Sequence, residues 1–204
     1  KNEDINVETV GPPYKGTEVK VTEEGELIYR QPGTFSGYYN DPDKTVEVLK
    51  DGWFYSGDRG FVREDGHVVF VDRLQDLVEL DNGDILAPQN IESRLMFSPY
   101  IKDAWVLAGP QGAYVSVIIV INYNPVSRWA GQRRVAYTTF AELSQKSEVY
   151  ELVKQDIDRV NRRLPAGCRV KKYVNLYKEF DPDEAELTRT RKLRKTFLLT
   201  HYRE

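Results

Sequence analysis

The chain has 204 residues, 40% apolar and 30% charged with a net charge of −3, an ordinary globular composition sized for one or two domains. One cysteine, Cys168, rules out an internal disulfide or a CxxC metal knuckle, and with only His67 and His201 no metal site is expected. The longest β-branched apolar stretch, Val115 to Ile121, is far short of the roughly 18–20 residues of a membrane helix, and the opening "KNEDIN" has no signal-peptide core. A cytoplasmic protein without a transmembrane segment is expected, with peripheral membrane contact left open. The chain begins at Lys1 and holds one methionine, Met96, so the natural start is expected to lie upstream in a longer protein.

Residues 1 to about 72 read as turn-rich and β-like: "GTEVKV", "GELIYR" and "HVVFV" are short β-branched or aromatic runs bounded by Gly, Pro and Asp. Asp65-Gly66, between "GFVRE" and "HVVFV", predicts a hairpin turn, because Asp followed by Gly suits its positive backbone dihedrals. The texture changes beyond Asp76. Pro88 to Met96 predicts a helix, and "DAWVLAG" and "AYVSVIIVINY" predict strands. Val149, Leu152, Val153, Asp156, Ile157, Val160 and Leu164 recur at three- and four-residue steps, a helical stripe that Pro165 ends. "VKKYVNLY" predicts a last strand. The alternation argues for a compact domain over about 77–204, with the boundary near "VDRLQD".

Three clusters could carry chemistry. Asp58, in "GWFYSGDRG", sits where a strand-end carboxylate could accept two hydroxyl hydrogens, as from a ribose diol; the plain alternative is a turn aspartate. Asp72, Arg73 and Asp76 lie at the presumed domain edge, with Gly83 in the polar loop beyond; the alternative there is a solvated linker. The basic run "RTRKLRK" near the C-terminus could meet phosphates, including those of nucleic acid, or form a solvated face.

In order and spacing these clusters resemble the adenylate-forming (AMP-binding) superfamily of acyl-CoA synthetases, luciferases and peptide-synthetase adenylation domains. "GYYNDPDKT" and "DGWFYSGD" look like landmarks near the end of its large N-terminal domain, and "DLVELDNGDILAPQNIESRL" like the opening of its small C-terminal domain. Asp72-Arg73 in place of Gly-Arg, the close "FDPDEAELTRTRKLRK" and the stretch from "RWAGQRRVAYTTFAEL" to "EVYELVKQDIDRVNRRLP" are similar to the long-chain fatty acid–CoA ligase branch. The expected fold class is α+β: a small β-rich, barrel-like subdomain over 1–72, a hinge at 73–76 and a mobile C-terminal α/β domain with mixed strands and helices over 77–204.

The resemblance implies roles residue by residue. Asp58 matches the aspartate that holds both ribose hydroxyls of ATP, and Arg73 the arginine that contacts the same ribose. Gly83 matches the glycine of the loop that lines the pantetheine tunnel of CoA. Gln75 occupies the hinge position, where Lys or Asp is usual, with Asp76 as the neighbouring pivot. Lys192 matches the catalytic lysine that reaches the α-phosphate and the acyl carboxylate. Thr188 and Thr190 fit the long-chain pattern, while Arg189 stands where proline is usual.

The implied substrates and cofactors are a fatty acid, ATP with Mg and CoA, with no nucleic acid. No Ser/Thr/Gly-rich phosphate loop stands in residues 1–204, so this chain alone is expected to be inactive. The alternative is a free-standing nucleotide- or nucleic-acid-binding module that uses the basic tail.

Overall fold

Short alternating runs between Gly- and Asp-bearing turns give the first part of the chain its sheet. The computed structural model describes residues 9–190 and 193–201. Strands β1 (Glu18–Val21) and β2 (Glu26–Arg30) pair antiparallel, and β2 pairs in turn with the ten-residue β4 (Trp53–Val62). β4 is the central strand: β3 (Leu49–Lys50) joins it at Trp53 and Phe54, and β5 (Val68–Arg73) joins it from Asp58 to Val62. The Asp65-Gly66 turn forms between β4 and β5, with the Asp65 carboxylate accepting the His67 N–H and Gly66 at φ 82°.

The five strands form an open sheet in the order β1-β2-β4-β3, with β5 also on β4. The barrel-like closure expected from sequence is therefore absent. A barrel requires the outer strands to pair with each other, and β1 and β5 do not.

The "NDPDKT" landmark has a local cause. Asp41 caps helix α1 (Pro42–Val48) by accepting the Lys44 N–H at 3.0 Å, and Pro42 takes the first helical position, where no N–H is needed. This helix was not foreseen, because seven residues with no buried face leave no periodic stripe. After β5 come a 3₁₀ turn (Leu74–Asp76) and the hairpin β6 (Val78–Glu79) and β7 (Ile85–Leu86), followed by α2 (Pro88–Met96). The chain divides into two compact units, the first ending at Asn90 and the second beginning at Ile91. Segment 73–76 lies within the first unit.

The second unit is built on a three-stranded sheet, β10-β9-β8. β8 (Ile101–Ala108) runs antiparallel to β9 (Val115–Ile121), and β10 (Val170–Asn175) runs parallel to β9. β9 is the nearly continuous apolar run of the sequence, and Val115, Val117, Ile119, Val120 and Ile121 are all buried, as a central strand requires. β10 presents Lys171 and Lys172 outward, and the Lys172 ammonium lies 4.2 Å from the Tyr114 ring centroid.

The crossover from β9 to β10 carries α3 (Tyr123–Gln132), α4 (Phe140–Ser144) and α5 (Ser147–Asn161). The run read as strand through Tyr123 ends at Ile121, and α3 follows with Pro125 in its first turn. Thr139 caps α4 by accepting the Glu142 N–H at 3.1 Å, and Glu142 reaches back to Thr138. Asn161, the last residue of α5, brackets Val170 by accepting its N–H at 2.8 Å and donating to its C=O at 3.0 Å. The start of β10 is fixed to the end of α5 in this way.

The predicted stripe is buried from Val149 to Val160, including Asp156, while Leu164 lies past the end of α5 and is half-buried. Its carboxylate accepts from the Ser98 hydroxyl and from Arg159, while Ser98 Oγ accepts the Tyr100 N–H at 3.1 Å. A buried carboxylate held by donors on two segments is stabilising only while those donors remain. A second cluster packs Trp105, Val120, Leu176, Phe180 and Leu198, with Leu187 and Leu193 against it, so the tail of the chain belongs to the core. Helix α6 (Lys195–His201) carries Leu198. No helix among the described residues is long and apolar enough to cross a membrane.

The Asp156 cluster gives a direct expectation. Asp156→Ala should lower the unfolding free energy by about 1–3 kcal/mol, since it strands the Ser98 hydroxyl. Asp156→Asn, which keeps an acceptor for Ser98, should lose less. Urea denaturation of the three proteins decides it; equal midpoints would refute the structural role.

Candidate functional site

Asp58 and Arg73 face each other directly across β4 and β5. The pairing follows from the hairpin turn at Asp65-Gly66 together with a register shift between Arg59 and Gly60, without which Asp58 would face Asp72. Arg73 Nη1 lies 3.0 Å from Asp58 Oδ1, and it also donates to the Ser56 carbonyl at 3.0 Å. The guanidinium is half exposed, at 52% of its side-chain surface, against 23% for Asp58.

The strand around Asp58 is fixed by side chains. Ser56 Oγ donates to the Leu27 carbonyl at 2.6 Å and accepts the Asp58 N–H at 3.0 Å. Glu26 accepts the Gly57 N–H at 2.8 Å. Gly57 adopts φ 71° within this strand, a conformation that any side chain would strain. These contacts fix the backbone and leave the carboxylate itself unanchored.

Asp58 Oδ1 is buried, and no hydrogen-bond donor is directed at it; the Arg73 contact is an ion pair without hydrogen-bond geometry. Burial pushes the Asp58 carboxyl above the ordinary aspartate range, and the Arg73 charge offsets this only in part. The Tyr29 phenol is raised as well, by its own burial and then by the Asp58 charge. A shielded acceptor beside a cation suits a ligand that brings its own hydroxyl donors.

Asp72, the residue before Arg73, is fully buried. Its Oδ1 accepts the Arg73 N–H at 2.8 Å and its Oδ2 accepts the Gln89 N–H at 2.8 Å. The side chain thus ties the strand end to the first turn of α2. Sequence reasoning placed it at the domain edge, with a solvated linker as the alternative, and gave it no structural role. The available signal was its position, at the end of the β-branched run "VVFVD", where the face alternates into the core.

The remaining expected site residues are distributed along this junction. Gln75 and Asp76 form the 3₁₀ turn that follows Arg73. Gly83 sits in the turn between β6 and β7, where its N–H donates to the Leu80 carbonyl at 2.9 Å. Its φ of 79° is a glycine conformation, and a side chain there would meet no atom within 4 Å. The turn is open to an approaching ligand. Lys192 lies outside the described residues. Among the described residues, no three His, Cys, Asp or Glu side chains cluster to hold a metal ion.

No family model matches the chain. Solved structures of similar fold include the amide bond synthetase McbA from Marinactinospora thermotolerans, with TM-score 0.66 and 23% identity over 96% of this chain and 36% of that one. The anthranilate CoA ligase AuaEII, solved with anthranoyl-AMP, gives TM-score 0.68 and 20% identity over 98% of this chain and 35% of that one. The chain shares its fold with these enzymes, which are adenylate-forming.

Its curated relatives narrow the branch. Long-chain-fatty-acid–CoA ligase FadD15 of Mycobacterium tuberculosis is 28% identical over 193 residues, which cover 94% of this chain and 32% of the relative. Long-chain-fatty-acid–CoA ligase 1 of Homo sapiens is 31% identical over 185 residues, 88% of this chain and 26% of the relative. The curated relatives it matches are long-chain acyl-CoA synthetases, and the chain spans about a third or less of their length.

The raised Asp58 pKa carries a signed pH dependence. Between the unfolded and the higher folded pKa the native state holds more protons, so stability falls as pH rises through that window. Asp58→Asn removes the ionisation. Relative to it, the parent should lose stability as pH rises from the ordinary aspartate range and then level off. Urea midpoints measured against pH test this; a parent that gains on Asp58→Asn with rising pH would contradict it.

Proposed function

We propose that this chain is the C-terminal part of an ATP-dependent, AMP-forming long-chain fatty acid–CoA ligase. The observation that carries the reading is the buried Oδ1 of the partly exposed Asp58 carboxylate, with no hydrogen-bond donor, opposite Arg73 in a chain whose named relatives are ligases of this kind. In the first half-reaction the fatty acid carboxylate attacks the α-phosphorus of Mg-ATP and pyrophosphate leaves. In the second, the CoA thiol takes the acyl group, AMP leaves, and the thiol proton passes to solvent.

Each residue has a distinct part. Asp58 accepts the ribose hydroxyls, and ATP supplies the donors that Oδ1 lacks. Arg73, with its side chain half exposed, meets the same sugar. Lys192 places a positive charge where phosphate oxygens gain negative charge, the step that a fixed cation accelerates most. Mg accompanies the nucleotide, and no residue of this chain is assigned to it.

The open Gly83 turn admits the pantetheine arm of CoA in the second half. Residues 77–204 turn different faces to the site by rotation about Gln75 and Asp76, so that Lys192 and Gly83 act in turn. The reading of the tail as a nucleic-acid surface is weakened by Lys195, whose ammonium is taken up by Glu92 at 3.2 Å.

The two half-reactions, measured separately in the whole enzyme, test this assignment. Lys192→Ala should slow adenylate formation by roughly 10²-fold or more, and leave transfer from supplied acyl-adenylate to CoA within a few-fold of the parent. Gly83→Trp should do the reverse. Equal losses in both halves, or none, would overturn the placement of the lysine. The 204-residue chain by itself should release no AMP or pyrophosphate above background.

A further inference from the structure

From Arg159 to Lys178 the chain carries seven Lys and Arg and no Asp or Glu, although its net charge is −3. Arg159 pairs with Asp156 and Lys178 with Glu186. The other five, Arg162, Arg163, Arg169, Lys171 and Lys172, are all exposed. Among the described residues, no ion pair engages Arg162, Arg169, Lys171 or Lys172.

The fold gathers these five. Asn161 holds both the N–H and the C=O of Val170, so the loop between them is closed at its mouth, and its entry at Arg162 and Arg163 returns to its exit at Arg169. Inside the loop the Leu164 N–H donates to the Asn161 carbonyl at 3.2 Å, the Cys168 N–H to the Pro165 carbonyl at 3.1 Å, and Arg169 Nε to the Leu164 carbonyl at 3.3 Å. Val170 and Lys172 of β10 then pair with consecutive residues of β9, Val115 and Ser116, which leaves Lys171 as the extra residue of a β-bulge. The bulge breaks the alternation that would send adjacent lysines to opposite faces. Lys172 rests over Tyr114, and further along Val174 on β10 and Tyr177 just past it are 44% and 60% exposed.

A structural role covers part of this set. Arg162 and Arg163 follow the last residue of α5, where cations offset the negative end of the helix dipole. That does not account for Arg169, Lys171 and Lys172, which stand on the loop exit and the strand. We infer that this surface docks the protein on anionic lipid bilayers. Exposed, long cations spread over a loop and a strand edge suit a diffuse sheet of negative headgroups, whereas a site for one soluble anion converges fixed donors on a point. Tyr177 and Val174 supply aromatic and apolar surface at the level where headgroups meet acyl chains. The choice of a membrane rests on the functional reading above: a long-chain fatty acid is an amphiphile that collects in bilayers, and a ligase held there meets its substrate where it is concentrated. None of the five cations is assigned a part in the reaction.

The test is flotation of the whole enzyme with phosphatidylcholine vesicles, with and without phosphatidylglycerol. The parent should float only with the anionic vesicles, and should lose binding between about 0.1 and about 1 M salt, as the screening length falls from about 10 to about 3 Å. Arg162→Gln/Lys171→Gln/Lys172→Gln should weaken partition by about 10²-fold, at about 5-fold for each cation removed. Arg162→Lys/Lys171→Arg/Lys172→Arg, which keeps the charge, should bind as the parent does. Lys15→Gln/Lys44→Gln/Lys50→Gln, which removes the same charge from exposed positions of the first unit, should stay within about 2-fold of the parent.

Equal partition of the parent and the neutralised loop variant, equal binding to neutral and anionic vesicles, or an equal loss in the first-unit variant would overturn the inference. So would unchanged partition accompanied by a higher KM for CoA, or by lost binding of duplex DNA, since the cations would then serve a soluble phosphate or a nucleic acid. If the triple loop variant does not fold, Lys171→Gln alone carries the test, with a loss of about 5-fold. A parent that forms long-chain acyl-adenylate but stays off anionic vesicles sinks this inference alone. One that floats in the expected pattern yet forms no adenylate sinks the functional reading and leaves the lipid-binding surface established.

Discussion

The fully buried carboxylate of Asp72 is the constraint on which the first unit depends. One oxygen holds the backbone of Arg73 and the other holds the first turn of α2. Everything between those two points, the 3₁₀ turn and the β6–β7 hairpin, is therefore a closed loop with a fixed mouth. Burial of a carboxylate is costly, and here two N–H donors and the positive end of a helix offset it. The same contact sets the direction from which Arg73 reaches Asp58.

Asp58 is the complement of Asp72. Both are acidic and shielded at the end of the same hairpin, yet one is saturated by backbone donors and the other by none. A structure that satisfies one buried carboxylate and withholds donors from its neighbour has divided stability from binding. The Ser56, Gly57 and Glu26 contacts belong to the first purpose, since they hold the strand rigid without engaging the Asp58 side chain. Binding energy is then available to whatever supplies the missing donors.

Much of this was legible in the sequence, and the failures have physical causes. The Asp65-Gly66 turn, α2 and the α5 stripe were readable because each has a strong local signal: a dipeptide, a leading proline, a helical period. Helix α1 and the two-residue strands β6 and β7 were not, because their stability comes from a cap or from pairing rather than from pattern. Asp58 and Arg73 could be named from the motif, but their pairing required knowing the register of β4 on β5. Glu92 and Lys195 are 103 positions apart, and no period links them. Only the packing of the tail against the sheet makes them partners.

The outer strand β10 has a consequence for the life of the molecule in solution. It has a neighbour strand on one side only among the described residues, and side chains occupy the backbone at both its ends, Asn161 at Val170 and Tyr150 with Gln145 at Asn175. Lys171 and Lys172 are exposed between these ends, the second resting on Tyr114. Two adjacent ammonium groups make strand addition by another copy electrostatically unfavourable, because an incoming copy of β10 would bring the same charges. The sheet thus carries its own protection against edge-to-edge aggregation at its outer strand.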